Sequence, residues 1–100
     1  MRVIARSKLR EWQETYPEAA GQLEAWYAAV RRADWSSSFE VSKSGWRADP
    51  IGNNRVVFNI KGNDYRLLAA IFYPGRIVYL KWFGPHSEYD KIDAETVEDD

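Results

Sequence analysis

The chain contains no cysteine and a single histidine. The first absence removes disulfide frameworks, thiolate metal sites and a thiol nucleophile together. The second leaves one imidazole, and the scattered acids show no ligand spacing, so neither a metal nor another cofactor is expected. No apolar run approaches membrane-spanning length, and the opening MRVIARSKLREW has too short an apolar stretch for a signal peptide. A cytoplasmic protein with no membrane partner is the expectation. Repeats, low-complexity tracts and the nucleophile-elbow motif of Ser-His-Asp hydrolases are also absent.

What remains is one domain's worth of chain, residues 1–100, with no break in composition. A chain of this size buries roughly 60–65% of its unfolded surface, enough for one modest core. Aromatic residues, 15% of the sequence, are the natural filling for it. The net charge of −1 hides a strong asymmetry. Residues 1–40 carry six basic and six acidic side chains and cancel. Residues 41–87 carry seven basic groups against two acids, and residues 88–100 carry seven acids against Lys91. The middle of the chain is thus basic, which favours a polyanionic partner, and it is followed by an acidic tail at about 94–100.

Periodicity orders the elements. MRVIA reads as a short first strand. Leu9, Trp12 and Tyr16 share one helical face over residues 7–16, with Ser7 as N-cap. Pro17 suits the first turn of a second helix, in which Leu23, Trp26, Tyr27 and Val30 follow the i, i+3, i+4, i+7 pattern. The Ser-, Gly-, Asn- and Pro-rich stretch 36–54 reads as a long irregular connection. Three strands follow at 55–60, 64–73 and 76–83, separated by Lys-Gly-Asn and Pro74-Gly75 turns. The order β-α-α-β-β-β defines an α+β fold with two N-terminal helices packed on a largely antiparallel sheet.

The strand 64–73 is apolar at every position from Leu67 to Phe72, so it is central and covered on both faces. A two-residue Pro74-Gly75 turn pairs Tyr73 with Arg76 and places Arg66 opposite Phe83, and a bulge would shift this by one residue. His86 follows Phe83 by three positions, so a fixed cation and the one imidazole come close together, with Tyr89 nearby. Histidine exchanges protons near neutral pH. Arginine presents a planar fork that matches phosphate oxygens, and a phenol donates a hydrogen bond or stacks on a base. This set fits attack of an RNA 2′-hydroxyl on the adjacent phosphorus, with the cation stabilising the crowded oxyanion. Lys61, Lys81 and Lys91 are candidate RNA or ribosome contacts, and Glu88 is either a surface charge or a candidate auxiliary proton carrier. Trp12, Tyr16, Trp26 and Tyr27 are assigned to the core.

The stretches VVFNIKGNDYRL and IVYLKWFGPHSEYDKID resemble the HigB branch of the RelE-like toxins of toxin–antitoxin pairs, and MRVIARSKLREW and WYAAVRRADW are similar to the same family. The resemblance covers nearly the whole chain. It implies a ribosome-dependent mRNA interferase, a metal-independent endoribonuclease that inhibits translation, neutralised by a small helix-turn-helix, HigA-like antitoxin. It also implies catalytic roles for Arg66, His86 and Tyr89. One position departs from the family pattern: Pro85 stands where a Thr is common before the histidine, which removes a hydroxyl and a backbone N–H. That departure keeps open a catalytically weakened RNA- or ribosome-binding module acting mainly through its antitoxin complex.

Overall fold

Burial sorts the sequence pattern into a helical layer and a sheet. In the computed structural model, which describes residues 1–98, β1 (Arg2–Ile4) leads into α1 (Arg6–Thr15) and, through a 3-10 turn at Pro17–Ala19, into α2 (Ala20–Arg32). Short α3 (Ser38–Ser42) and β2 (Ala48–Ile51) precede β3 (Arg55–Ile60), β4 (Tyr65–Phe72) and β5 (Ile77–Pro85), and one turn of helix, α4 (His86–Tyr89), follows β5 directly. The sheet order is β1-β5-β4-β3-β2, with β1 parallel to β5 and the other pairs antiparallel. The expected α+β order is borne out, and three details differ.

Helix α1 starts at Arg6 after Ala5, without a side-chain cap from Ser7. The stretch 36–54 is not wholly irregular. Ala48–Ile51 pairs with Arg55–Phe58 as an edge strand, and the edge tolerates Pro50 because a proline need not donate there. The third difference is the register. Phe72↔Ile77 through Ala69↔Leu80 follow the simple hairpin count, but Leu68 then pairs with Trp82, so Lys81 is the extra residue of a β-bulge. Arg66 therefore faces Gly84 rather than Phe83.

The bulge also changes which side chains point inward. Val78 and Leu80 are buried, and strict alternation would send Trp82 into the core after them. With Lys81 inserted, Phe83 turns inward instead and stacks on Tyr65 at 5.3 Å and on Trp12 at 5.6 Å. Behind them Leu23, Trp26, Tyr27 and Val30 of α2 are all buried, with Trp26 edge-on to Phe58. The helical face of the sheet is thus filled by the aromatics that the periodicity selects.

The opposite sheet face is covered in its middle by the chain's own C-terminal segment. Arg55 is only 1% exposed, and its Nη1 donates to the carbonyls of Ala94 (2.9 Å) and Val97 (2.6 Å). Asn53 donates to the Glu95 carbonyl, and Glu98 pairs with Lys8 of α1. These contacts carry residues 93–98 from the β2–β3 turn across the sheet to the β5 edge. Val57 and Leu68, which alternate away from the helices, are buried on that same face. Asp99 and Asp100 of the acidic tail lie outside the described residues. Among the described residues no helix is long and apolar enough to cross a membrane.

Candidate functional site

One end of the outer sheet face gathers the groups singled out from the sequence. Arg66 lies on β4 between Asn59 of β3 and Gly84 of β5. Its Nη1 donates to the carbonyls of Asn63 (3.1 Å) and Tyr65 (3.3 Å), which hold the guanidinium at the strand's start. β5 ends at Pro85, opposite Tyr65, and the extended conformation of Pro85 turns the chain into α4. The His86 backbone N–H donates to the Asp64 carbonyl at 3.0 Å, so the helix start is tied to the turn that precedes Arg66.

The His86 ring is exposed, with Nδ1 3.8 Å from an Asp90 carboxylate oxygen. That separation exceeds a hydrogen bond, and between two exposed groups such a pair holds little geometry. His86 is thus accessible to a ligand. Tyr89 is half-buried, its ring 6.0 Å from that of Trp82. Burial pushes its phenol above the ordinary tyrosine range; the Arg66 charge opposes this, while Asp49 and Asp90 add to it. Tyr89 consequently stays protonated at neutral pH and serves as a hydrogen-bond donor rather than a base.

The three RNA-contact candidates do not share one place. Lys61 is exposed in the turn between β3 and β4, and Lys91 is exposed just after α4, 3.8 Å from Glu88. Both flank the Arg66–His86 end. Lys81 lies along β5 at the bulge, beside the Glu98 end of the C-terminal segment and lining a cavity of about 300 Å³ shared with Lys8 and Trp82. Among the described residues no cluster of three His, Cys, Asp or Glu side chains gathers where a metal ion would need them.

Trp82 and Asp49 belong to this neighbourhood and were not singled out from the sequence. A bulge decides where Trp82 points, and periodicity carries no signal for it. Asp49 lies on the edge strand hidden in the Ser/Gly/Asn-rich stretch. The Pro50 that makes that stretch look like a loop is the same residue that suits an edge.

A mixed five-stranded sheet with its helices on one face fits the RelE-like fold of toxic components of toxin–antitoxin systems. Residues 19–92 match the model of the HigB toxin family, described as the RelE-like toxic component of a toxin–antitoxin system, and the chain belongs to that family. It is 27% identical over 94 residues to the mRNA interferase HigB of Escherichia coli O6:H1, covering 92% of this chain and 91% of the relative. It is 24% identical over 96 residues to the mRNA interferase HigB of Shigella flexneri, covering 94% and 92%.

Proposed function

We propose that this chain is the toxin of a type II toxin–antitoxin pair and an endoribonuclease that cuts mRNA on the ribosome. The observation that carries the reading is the meeting of Arg66, His86 and Tyr89 at one end of the sheet, with His86 exposed and anchored to the turn before Arg66. The relatives' name, mRNA interferase, supports RNA as the substrate.

In this reading the 2′-hydroxyl attacks the neighbouring phosphorus and the bond to the 5′-oxygen breaks, leaving a 2′,3′-cyclic phosphate and a 5′-hydroxyl. Arg66 offsets the charge on the phosphorane oxygens. His86 moves the proton at one of the two reacting oxygens, and water or a ribosomal group serves the other. Tyr89, kept protonated by burial, donates to a phosphate oxygen or stacks on a base, with Trp82 behind it.

So sparse and open a set does little to align free RNA. Holding the 2′-hydroxyl in line with the phosphorus is worth roughly 7–11 kcal/mol, and a ribosome that already holds mRNA in a fixed path supplies that alignment. Purified protein should leave naked mRNA largely intact and cut mRNA on translating ribosomes. Equal enzyme on both substrates, with the ends mapped, tests this; equal cutting of the two removes ribosome dependence. Pro85, with no hydroxyl at the helix entry, favours a second reading: binding to the ribosome with no cut products on either substrate. In both readings a helix-turn-helix antitoxin neutralises the chain.

A further inference from the structure

The charges of residues 1–40 cancel in the sequence, but the fold separates them. Arg2 on β1, Arg6 at the start of α1 and Arg31 in the last turn of α2 line one cavity of about 420 Å³ together with Met1, Val3 and Tyr27. No carboxylate lines it. Among the described residues none of the three arginines pairs with an acid, whereas Arg76 holds Asp34 at 2.6 Å and Lys8 holds Glu98. The guanidiniums of Arg6 and Arg31 lie over the Tyr27 ring, 4.9 and 5.5 Å from its centroid. Stacking of this kind restrains a guanidinium by its face and leaves its edge N–H groups for a ligand.

Local physics does not call for this cluster. Arg31 suits the C-terminal end of a helix, but Arg6 stands at an N-terminus, where the dipole disfavours a cation, and three like charges repel one another. An anion that met all three would relieve both costs.

We propose that Arg2, Arg6 and Arg31 form a binding site for an RNA phosphate backbone, separate from the cleavage end of the sheet. The inference rests on the RNA-directed reading above. Two observations favour RNA over an acidic protein. The cavity is mostly polar, and the exposed large apolar side chains, Phe39, Phe72 and Tyr79, are not among its lining. A protein interface would be expected to place such anchors at its centre. The site is also remote. Arg2 of β1 pairs with Ile77, nine residues before His86, which is about 30 Å along a strand at ~3.3 Å per residue. The molecule is only 32 Å in its longest dimension. The few nucleotides around a scissile bond at His86 do not reach the arginines, so the backbone they grip is a distant part of the messenger or ribosomal RNA.

The test compares the full chain with its Arg2→Gln/Arg6→Gln/Arg31→Gln variant and the matching triple Lys variant. Each is titrated against vacant 70S ribosomes and against a short single-stranded RNA over a range of salt. The Gln variant should lose affinity for ribosomes, with a salt slope lower by about 2 to 3, and keep its affinity for the short RNA. The Lys variant should keep most of the slope and lose part of the affinity, because charge remains without the fork. A loss seen with the short RNA but not with ribosomes places the site on the messenger strand and sustains it as a phosphate site. Unchanged affinity and slope on both probes overturns the proposal, as does loss only of the complex with the cognate antitoxin. If the Gln variant binds both ribosomes and the short RNA as the wild type does while His86→Ala abolishes cutting, this site falls and the nuclease reading stands. If the wild type neither binds ribosomes nor cuts mRNA, both fall.

Discussion

Arg66 faces Gly84 across β4 and β5, and a Cβ at Gly84 would lie 2.8 Å from Cη2 of Trp82. The glycine therefore lets the Trp82 ring lie close over the strand on the face that carries Arg66, and the Lys81 bulge is what turns Trp82 to that face. Gly84→Ala should push the ring aside. The clash is with the far end of a half-buried side chain, so the cost in stability should stay near or below about 1–3 kcal/mol. Binding to a short single-stranded RNA should weaken several-fold. A thermal melt together with an RNA titration reads both, and undiminished binding by a folded variant removes Trp82 from the RNA surface.

His86→Ala should fold as the wild type does, because the ring is exposed and its ion-pair partner, Asp90, is 3.8 Å away. It should no longer arrest growth when expressed, since a general acid or base contributes on the order of 10²–10⁴ in rate. Tyr89→Phe should behave differently. With the phenol's pKa raised by burial, the native group is neutral from acid pH to beyond its ordinary range near 10. Losing it should lower the rate without adding or removing a titration limb between pH 5 and 9. A new limb in that window would mean that Tyr89 does exchange protons.

These residues were legible in the sequence for different reasons. The helix faces were plain because Leu23, Trp26, Tyr27 and Val30 obey one period and one side is buried. Arg66 and His86 came within one residue of their true relation, since a hairpin count is linear and a single bulge is a single step. Trp82 was not legible, because the bulge reverses inward and outward without changing composition. The C-terminal segment was misleading in another way. Seven acids in thirteen residues look like a solvated end, but the backbone carbonyls of Ala94 and Val97 bind Arg55, and carbonyls leave no mark in a sequence.

Arg55 should accordingly prove a structural residue. Two charge-assisted hydrogen bonds tie it to Ala94 and Val97 in a position that is 1% exposed. Such bonds are worth about 1.5–3 kcal/mol each, so Arg55→Ala should cost about 3 kcal/mol or more. In a domain of this size that lowers Tm by more than about 10 °C. Limited proteolysis should also show earlier cutting beyond residue 92 in the variant. An unshifted melt would mean that the C-terminal segment contributes nothing to the fold.

The same segment lays acids on a basic face, which gives the last prediction. Glu98 pairs with Lys8 and lies near Lys81, and the Lys8 hydrogen bond holds its carboxyl below the usual range. Glu95 sits against Gly52 at the β2–β3 turn. Both carboxylates oppose an RNA strand laid along the sheet face, and they do so less as salt rises. Deleting residues 94–100 is a poor test, because it also strips Arg55 of its carbonyl partners. Glu95→Gln/Glu98→Gln keeps the backbone in place and removes two negative charges. The variant should bind single-stranded RNA more tightly at low salt and converge on the wild type at high salt. The sign with pH follows from the lowered Glu98 pKa: the opposing charge is present above the ordinary carboxylate range and is lost only as pH falls through the depressed value. The gap between variant and wild type should therefore be full at neutral pH and close in acid. Equal affinities at every salt concentration would leave the segment as a cover for Val57 and Leu68 and nothing more.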